Sequence, residues 1–261
     1  VNQEIMDEVG IESIDTKEDF MNYMKAASGN GRYGYGGSWE KTYVSNELAQ
    51  FVNMFGGDYF DWTNPANKEA VQFMHDLVAE GYTPIDQIAD KYEQMNPKAN
   101  DGKYGSLFMW GLGTDYAKAD MLGEDKIHMA MVPDFSGTGE RAIFTDSWNY
   151  VLNSASKNKE AAVKFLQYMA SEEGVKASYE AFDRYPARKD VAEKVVPDTD
   201  PAKEIYSRYA TECNVQGRPM LPQTMEFITD MGTIFQSYVK DEITVDEFCT
   251  KAQEYVDKYS E

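Results

Sequence analysis

The sequence predicts an α/β fold that is rich in helices and contains only short strands. Amphipathic segments with helical spacing occupy much of the chain, and the few apolar runs between them are short enough to be strands. Short strands that alternate with many helices favour an α/β domain over a helical bundle. With 261 residues, of which 42% are hydrophobic, the chain can bury a core as one large domain or two smaller ones.

Three helices are predicted in the first third of the chain, at residues 15–27, 44–55 and 65–80. Each repeats apolar residues at helical spacing. The third begins with Asn64 and Pro65, a capping residue followed by proline at the first helical position, and it ends before Gly81. These boundaries follow from the residues that start and stop helices.

Strands and turns are predicted in the middle of the chain, after a polar stretch at residues 85–103. The apolar runs at 104–111 and 126–133 predict buried strands. Residues 136–148 contain glycine and polar residues and predict a turn, and residues 148–156 resemble a strand. This region therefore supplies the predicted sheet.

The second half is predicted to return to helices, beginning with an amphipathic helix at residues 157–174 that ends at a glycine. A basic and aromatic turn, "DRYPARKD", follows it. Further helices are predicted at 201–211, 223–240 and 244–259, the last of them introduced by the capping box "TVDE".

The charge of the chain excludes nucleic acid as an expected partner. Its formal net charge of −20 repels phosphate backbones and anionic lipid headgroups. No apolar run reaches the about 18 to 20 residues of a membrane span, and the first residues lack the regions of a signal peptide. Because the sequence begins inside an amphipathic segment, we expect a mature or truncated fragment.

The residues that usually carry catalysis or bind metals form no recognisable motif. His75 and His128 lack a metalloprotease spacing, and Cys213 and Cys249 have no zinc or redox spacing. The spacing leaves open whether the two cysteines are buried thiols or one disulfide. We expect no cofactor, no metal ion and no catalytic residue.

One glycine motif, G-x-G-x-x-G at residues 29–34, has the wrong context for a nucleotide site. A dinucleotide fingerprint follows a strand and opens a helix, whereas these glycines follow a predicted helix and lead into an extended segment. Nucleotide binding is therefore not expected. The same segment ends in an aromatic residue, Trp39.

Aromatic residues near glycines and acidic side chains predict a carbohydrate site. A sugar ring has apolar C–H faces and a hydroxyl edge, so its site pairs flat rings with polar groups. Trp39 and Tyr43 are predicted to stack on the sugar. Four more residues are predicted to line the pocket: Trp110, Asp115, Asp146 and Trp148. For Trp39 the pattern leaves open a place in the core instead.

The order of segments resembles the extracellular solute-binding proteins of bacterial ABC importers, in the carbohydrate-binding, maltose-binding-protein-like family. The segments that carry the resemblance are "VNQEIMDEVGIESIDTKEDF", "MFGGDYFDWTNPANKEAVQFMHDLVAEGY", "NDGKYGSLFMWG", "SKNKEAAVKFLQYMASEEG" and "RYPARKD". The resemblance begins after the family's first lobe. It implies a periplasmic-binding-protein type II fold, in which residues 1–142 and 193–261 form the second lobe and residues 143–192 cross to the first lobe.

The resemblance implies a non-enzymatic receptor that holds an oligosaccharide between two lobes and delivers it to the permease of an ABC transporter. It places Phe227 near the sugar, although a core position is equally open. It also implies a monomer at the outer face of the cell membrane or in the periplasm, with lipid anchoring left open.

Two alternatives remain at this stage. One is a binding protein for another solute, such as a polyamine, an anion or an amino-sugar, and Arg32, Arg184 and Arg188 could converge on an anion. The other is a carbohydrate-active enzyme.

Overall fold

The computed structural model describes residues 1–108, 128–145, 149–182, 185–199 and 201–261, with the side chains of 201 and 202 left aside. These residues form a helix-rich α/β structure, as predicted. The strands are β1 (Tyr33–Gly36), β2 (Tyr104–Leu107), β3 (Arg141–Thr145) and β4 (Cys213–Gly217). The helices are α1 (Gln3–Val9), α2 (Lys17–Ala27), α3 (Val44–Met54), α4 (Pro65–Ala79), α5 (Tyr92–Asn100), α6 (Lys159–Met169), α7 (Glu172–Phe182), α8 (Lys189–Val195), α9 (Pro201–Glu212), α10 (Thr224–Val239) and α11 (Val245–Ser260).

Helix starts were predicted well because local side chains fix them. The Asn64 side chain accepts a hydrogen bond from the backbone N–H of Ala66 at 3.0 Å, which caps α4. The predicted capping box at α11 is present, since Thr244 and Glu247 each accept the other's backbone N–H. Such caps satisfy donors that the first turn of a helix otherwise leaves without partners.

The helix predicted to end at Gly174 is in fact two helices. The first, α6, ends at Met169, and α7 begins at Glu172. The hydroxyl of Ser171 accepts a hydrogen bond from the backbone N–H of Gly174 at 3.1 Å and so starts the second helix. Gly174 lies inside α7, and the prediction of a terminating glycine was wrong.

The strand predictions were less accurate than the helix predictions. Of the run at 126–133, residues 128–133 are irregular, and residues 149–153 are not a strand either. Residues 141–145, predicted as part of a turn, form β3 instead. Its partner β4 was not predicted, because "CNVQG" is only five residues long and contains a single β-branched residue, Val215. Both strands depend on pairing with each other.

The strands form two parallel pairs. In the first pair, Tyr33 lies opposite Tyr104 and Gly36 opposite Leu107. In the second pair, β3 and β4 are in register from Arg141 and Cys213 to their carboxyl ends. Parallel pairing brings the carboxyl ends of the partners to one edge, where ligands of open α/β sheets usually bind.

Helix α3 is the centre of the core, and all of its residues are buried. It contacts α4, α10 and β3. The amide of Gln50 joins α3 to β3: its oxygen accepts the Phe144 N–H at 2.6 Å, and its nitrogen donates to the Ala142 carbonyl at 2.9 Å. The Gln50 side chain therefore supplies hydrogen-bond partners for two backbone groups on the edge of β3 that faces away from β4.

Helix α6 differs from α3 because none of its residues is buried. Its apolar side chains remain open: Phe165 is 54% exposed and Val163 is 41% exposed. Nearby, Val151 is 82% exposed. A helix with this amphipathic pattern normally buries its apolar face, so the face is available for a further packing partner.

The glycine motif forms a tight turn between α2 and β1. Gly29, Asn30 and Gly31 all have positive φ angles, which glycine adopts readily. A helix precedes this turn and a strand follows it, which is the reverse of a dinucleotide fingerprint.

Candidate functional site

The candidate site is the β1–α3 loop, residues 37–43, at the carboxyl end of β1. The carboxyl end of β2 lies beside it, because Gly36 pairs with Leu107. The chain then continues from Phe108 towards the predicted residues Trp110 and Asp115. Parallel strands therefore place the loop at the edge of the sheet that is typical of ligand sites.

Backbone hydrogen bonds fix the loop to the segment before α5. The Trp39 N–H donates to the Gln87 carbonyl at 3.2 Å, and the Glu40 N–H donates to the Asp90 carbonyl at 3.1 Å. From α10, the side-chain amide of Gln236 donates to the Trp39 carbonyl at 3.0 Å. The loop thus has a defined backbone path.

Close packing against α10 also shapes the loop. Gly232 lies directly against the backbone of Lys41, and a Cβ atom at position 232 would overlap that backbone. A larger residue at 232 would displace the loop or the helix. The glycine is needed here for close approach rather than for an unusual backbone angle.

A buried carboxylate, Glu47, lies beneath the loop. One of its oxygens accepts the Ser38 N–H at 2.7 Å, and the other accepts the Trp39 indole N–H at 2.9 Å and the Tyr35 hydroxyl. Burial raises the pKa of Glu47 above its usual value, and these hydrogen bonds oppose that rise. Burial, together with the Glu47 charge, also holds the pKa of Tyr35 well above its usual value.

Two tyrosines and a lysine lie at the outer end of the loop. Tyr43 and Tyr92 meet edge to face, with ring centroids 5.2 Å apart, and both rings are half-buried. The ammonium of Lys91 lies 5.5 Å from the centre of the Tyr43 ring. This arrangement offers aromatic faces beside a positive charge.

Polar groups accompany the rings. The Glu40 carboxylate accepts hydrogen bonds from the backbone N–H of Thr42 at 2.9 Å and from its hydroxyl at 2.5 Å. Lys41, between them, is exposed. Apolar ring surface next to charged and hydroxyl groups matches the two chemical faces of a sugar.

Tyr92 and Lys91 were missed by the sequence reasoning. They lie in the polar stretch at 85–103, for which no helix or strand was predicted; Tyr92 begins α5, and Lys91 immediately precedes it. Pro97 inside this helix and its high polarity weaken the helical pattern. The sequence signal that could have identified this part of the site is Tyr92 itself, an aromatic residue in an otherwise polar segment.

The structure places two of the predicted ligand residues in the core. Trp39 is fully buried, and its ring meets Phe235 edge to face at 5.2 Å. Phe227 is also fully buried, between Tyr59 at 6.1 Å and Tyr259 at 5.9 Å. Both rings are enclosed by core residues, so the structure shows the core position that the sequence left open for each, and not the stacking role predicted for Trp39 or the place near the sugar predicted for Phe227.

Of the remaining predicted site residues, only Tyr43 lies within the described part of the chain. Tyr43 stays at the surface of the site, beside Tyr92. Trp110, Asp115, Asp146 and Trp148 lie outside the described residues, so their places in the pocket stay predictions.

The two described arginines of the anion alternative, Arg32 and Arg188, each pair with a carboxylate. Arg32 forms an ion pair with Glu8 at 2.6 Å, and Arg188 forms one with Asp190 at 2.5 Å. Arg184 falls outside the described part of the chain. The two described arginines therefore already have carboxylate partners, which weakens the case for an anion receptor.

Two surface depressions lie away from the loop. One of about 360 Å³ lies between α4, α10 and the start of α11, and is lined by His75, Tyr238 and Asp241 among others. The second, of about 310 Å³, lies at the amino ends of β3 and β4 and includes Cys213. Neither contains a predicted ligand residue.

The described residues contain neither a metal-binding cluster nor a membrane-spanning helix. They contain no group of three or more His, Cys, Asp or Glu side chains placed to hold a metal ion. None of their helices is both long and apolar enough to span a membrane. Cys213 and Cys249 are free thiols, and burial raises the pKa of Cys249 to about 11.

Comparison with known proteins finds a matching family and solved structures of similar fold. The sequence profile of a family described as bacterial extracellular solute-binding protein matches residues 1–176. An ABC transporter solute-binding protein from Thermotoga lettingae, bound to α-D-tagatose, superposes with a TM-score of 0.83 at 21% identity, covering 100% of this chain and 69% of that one. Maltose-bound MalE3 of T. maritima gives 0.80 at 17% identity, with 98% and 68% covered.

A third similar structure comes from Listeria monocytogenes. It is the ABC substrate-binding protein Lmo0181 in complex with cycloalternan, with a TM-score of 0.74, 17% identity, and coverage of 98% of this chain and 67% of that one. A search of curated protein sequences finds no match. At these identities the structural similarity shows a shared fold, and the chain spans about two thirds of each compared structure.

Proposed function

The chain belongs to the bacterial extracellular solute-binding protein family, and from this premise we propose that it binds a carbohydrate for uptake by an ABC transporter. Its fold is that of type II periplasmic binding proteins. The observation that carries the proposal is the Tyr43–Tyr92 pair at the carboxyl ends of the parallel strands β1 and β2. Carbohydrate rings stack on such faces, while neighbouring polar groups bind hydroxyls.

The ligands of the similar structures support a sugar over the other solutes. α-D-Tagatose, maltose and cycloalternan are all neutral polyhydroxylated molecules. A neutral sugar needs no cluster of arginines, and the described Arg32 and Arg188 are engaged elsewhere. A polyamine site would require convergent carboxylates around the rings, whereas the ammonium of Lys91 lies 5.5 Å from the centre of the Tyr43 ring.

The domain arrangement is part of the proposal. Residues 1–142 and 193–261 form the second lobe, and residues 143–192 cross to the first lobe. The exposed apolar face of α6, with Phe165 and Val163, supports a packing partner for that segment. The carbohydrate lies between the two lobes, which close on it by a hinge motion. Trp110, Asp115, Asp146 and Trp148 complete the pocket.

The partners follow from the same reasoning. The loaded protein acts as a monomer and delivers the carbohydrate to the permease subunits of the transporter. It works outside the cytoplasm, at the face of the membrane or in the periplasm, in keeping with an extracellular family. Its role is binding without turnover, and attachment by a lipid is a further part of this proposal.

A ligand screen by titration calorimetry tests the proposal. The panel contains maltose, tagatose, stachyose and mannitol, with spermidine and inorganic phosphate as the other solute classes. We expect saturable heat from at least one carbohydrate and none from spermidine or phosphate, with no product in the recovered ligand. Binding of spermidine or phosphate alone would overturn the carbohydrate assignment, and hydrolysis of a bound glycan would overturn the assignment as a receptor.

A further inference from the structure

We propose that Glu47 is a positioning residue that sets the conformation of the β1–α3 loop and thereby the place of Tyr43. The effect on ligand binding rests on the proposed carbohydrate function, whereas the effect on the loop does not. Glu47 lies in the first turn of α3, four residues after Tyr43, which is the last residue of the loop and immediately precedes the helix.

The hydrogen bonds to Glu47 join the loop to the strand before it, β1, and to the helix after it, α3. Ser38 and Trp39 belong to the loop, and Tyr35 belongs to β1. A carboxylate accepts several hydrogen bonds on its two oxygens and offers no competing donor. It is therefore suited to hold a backbone N–H, an indole N–H and a hydroxyl at once.

The cost of burying this charge supports a specific role. The side chain is almost fully enclosed, and none of the ion pairs among the described residues includes Glu47. Burying a carboxylate without a cation is unfavourable unless hydrogen bonds compensate it. Gly37 packs directly against the carboxylate, and a Cβ atom at that position would come within 2.5 Å of Glu47 Oε2. The loop backbone is thus fitted closely around the acid.

The loop also has anchors other than Glu47. The Gly37 N–H donates to the Gln87 side chain at 2.8 Å, the Ser38 hydroxyl donates to the Asp90 carbonyl at 3.1 Å, and the backbone N–H groups of Trp39 and Glu40 donate to the carbonyls of the same two residues. Glu47 adds the acceptors for the Ser38 backbone N–H and the Trp39 indole N–H. Releasing these two N–H groups would loosen the start of the loop, and Tyr43 precedes α3 without a side-chain cap of its own. Tyr43, at the far end of the loop, would lose its fixed approach to Tyr92.

The substitution Glu47→Gln tests this role with little change in size. The glutamine amide has one accepting oxygen and one donating nitrogen, whereas Glu47 accepts on both oxygens. Either the Ser38 backbone N–H or the Trp39 indole N–H would therefore face the donating nitrogen of the amide group in the Glu47→Gln variant. The matched control is Tyr35→Phe, which removes the one donor that lies outside the loop and leaves the carboxylate and both loop donors in place. Both variants remove a hydrogen bond made by the Glu47 side chain, but only Glu47→Gln disturbs the bonds to the loop.

Hydrogen–deuterium exchange of the complete chain gives the decisive readout without any ligand. We expect Glu47→Gln to accelerate exchange of the Ser38 and Glu40 amides by about tenfold or more, as expected for losing a hydrogen bond to a charged group. The amides of α11 should be unaffected, and Tyr35→Phe should leave the loop within about threefold of the parent. Equal acceleration in both variants, or an unchanged loop in Glu47→Gln, would overturn the proposal.

A binding measurement then connects the loop to the site. For the carbohydrate that binds best in the screen, we expect Glu47→Gln to raise Kd by about tenfold and Tyr35→Phe to leave it within about threefold. If Glu47→Gln fails to fold, Trp39→Phe takes its place, because it removes the indole N–H that donates to Glu47. We expect Trp39→Phe to accelerate exchange of the Ser38 amide. An unchanged exchange rate would contradict the role of Glu47. Failure of the parent chain to bind any carbohydrate would overturn the proposed function, while the exchange data still decide the role of Glu47.

Discussion

Replacing Trp39 with alanine should destabilise the protein strongly, because the ring belongs to the core. The side chain is fully buried against Phe235, and its indole N–H donates to the enclosed Glu47 carboxylate at 2.9 Å. Removing a large buried ring costs about 3–5 kcal/mol. The lost hydrogen bond to a charged acceptor adds about 1.5 kcal/mol or more. We therefore expect a total loss of about 4.5–6.5 kcal/mol.

Urea unfolding followed by circular dichroism measures this loss, and a thermal melt provides a second estimate. For a chain of this size, each kcal/mol shifts Tm by about 2–4 °C, so the midpoint should fall by about 10 °C or more. Trp39→Phe is the graded control: it keeps an aromatic ring next to Phe235 but loses the N–H, and it should cost about 1–3 kcal/mol. An unchanged midpoint for Trp39→Ala, together with loss of carbohydrate binding, would refute the core assignment and restore the stacking role.

Three further changes test other parts of the structure. Gln50→Ala removes both hydrogen bonds from α3 to β3, so it should cost about 1–3 kcal/mol and accelerate amide exchange at Phe144. Thr244→Ala removes the cap of α11 and should cost about 1 kcal/mol in urea unfolding at pH 7. Hydrogen bonds from Thr244 lower the pKa of Glu247, so the part of this contribution that involves the Glu247 carboxylate should be present above the ordinary glutamate pKa and be lost as the pH falls through the lowered pKa; a constant difference from pH 7 to pH 3 would contradict it. Phe165→Ala should change stability by less than about 0.5 kcal/mol, because the ring is 54% exposed, and a large loss would show that it is packed.

Helices could be predicted from the sequence because their determinants are local. Asn64 with Pro65 and the Thr244 capping box fix helix starts within a few residues. The break between α6 and α7 was missed because the Ser171 cap competes with a continuing amphipathic pattern. The strands β3 and β4 were missed because each is short and is stabilised by a partner distant in sequence.

The site could be located from the sequence only in part. The glycines and aromatic residues around Trp39 and Tyr43 correctly indicated a loop at the end of a strand. Which ring enters the core was not predictable, because Trp39 is buried by Phe235 from α10, near the other end of the chain. Tyr92 was missed because its polar surroundings resemble a connection, and only the fold brings it to Tyr43.

The most direct test of the carbohydrate assignment is saturation-transfer NMR, which detects binding even at millimolar Kd, about −4 kcal/mol of binding free energy. The chain is mixed with maltose or stachyose, and transfer to the sugar protons is compared with that of Tyr43→Ala/Tyr92→Ala and of the surface control Tyr168→Ala, whose ring is 43% exposed on α6. We predict transfer in the parent and the control and its loss in the double variant. Equal transfer in all three proteins, or none in the parent, would contradict a carbohydrate site at the carboxyl ends of β1 and β2.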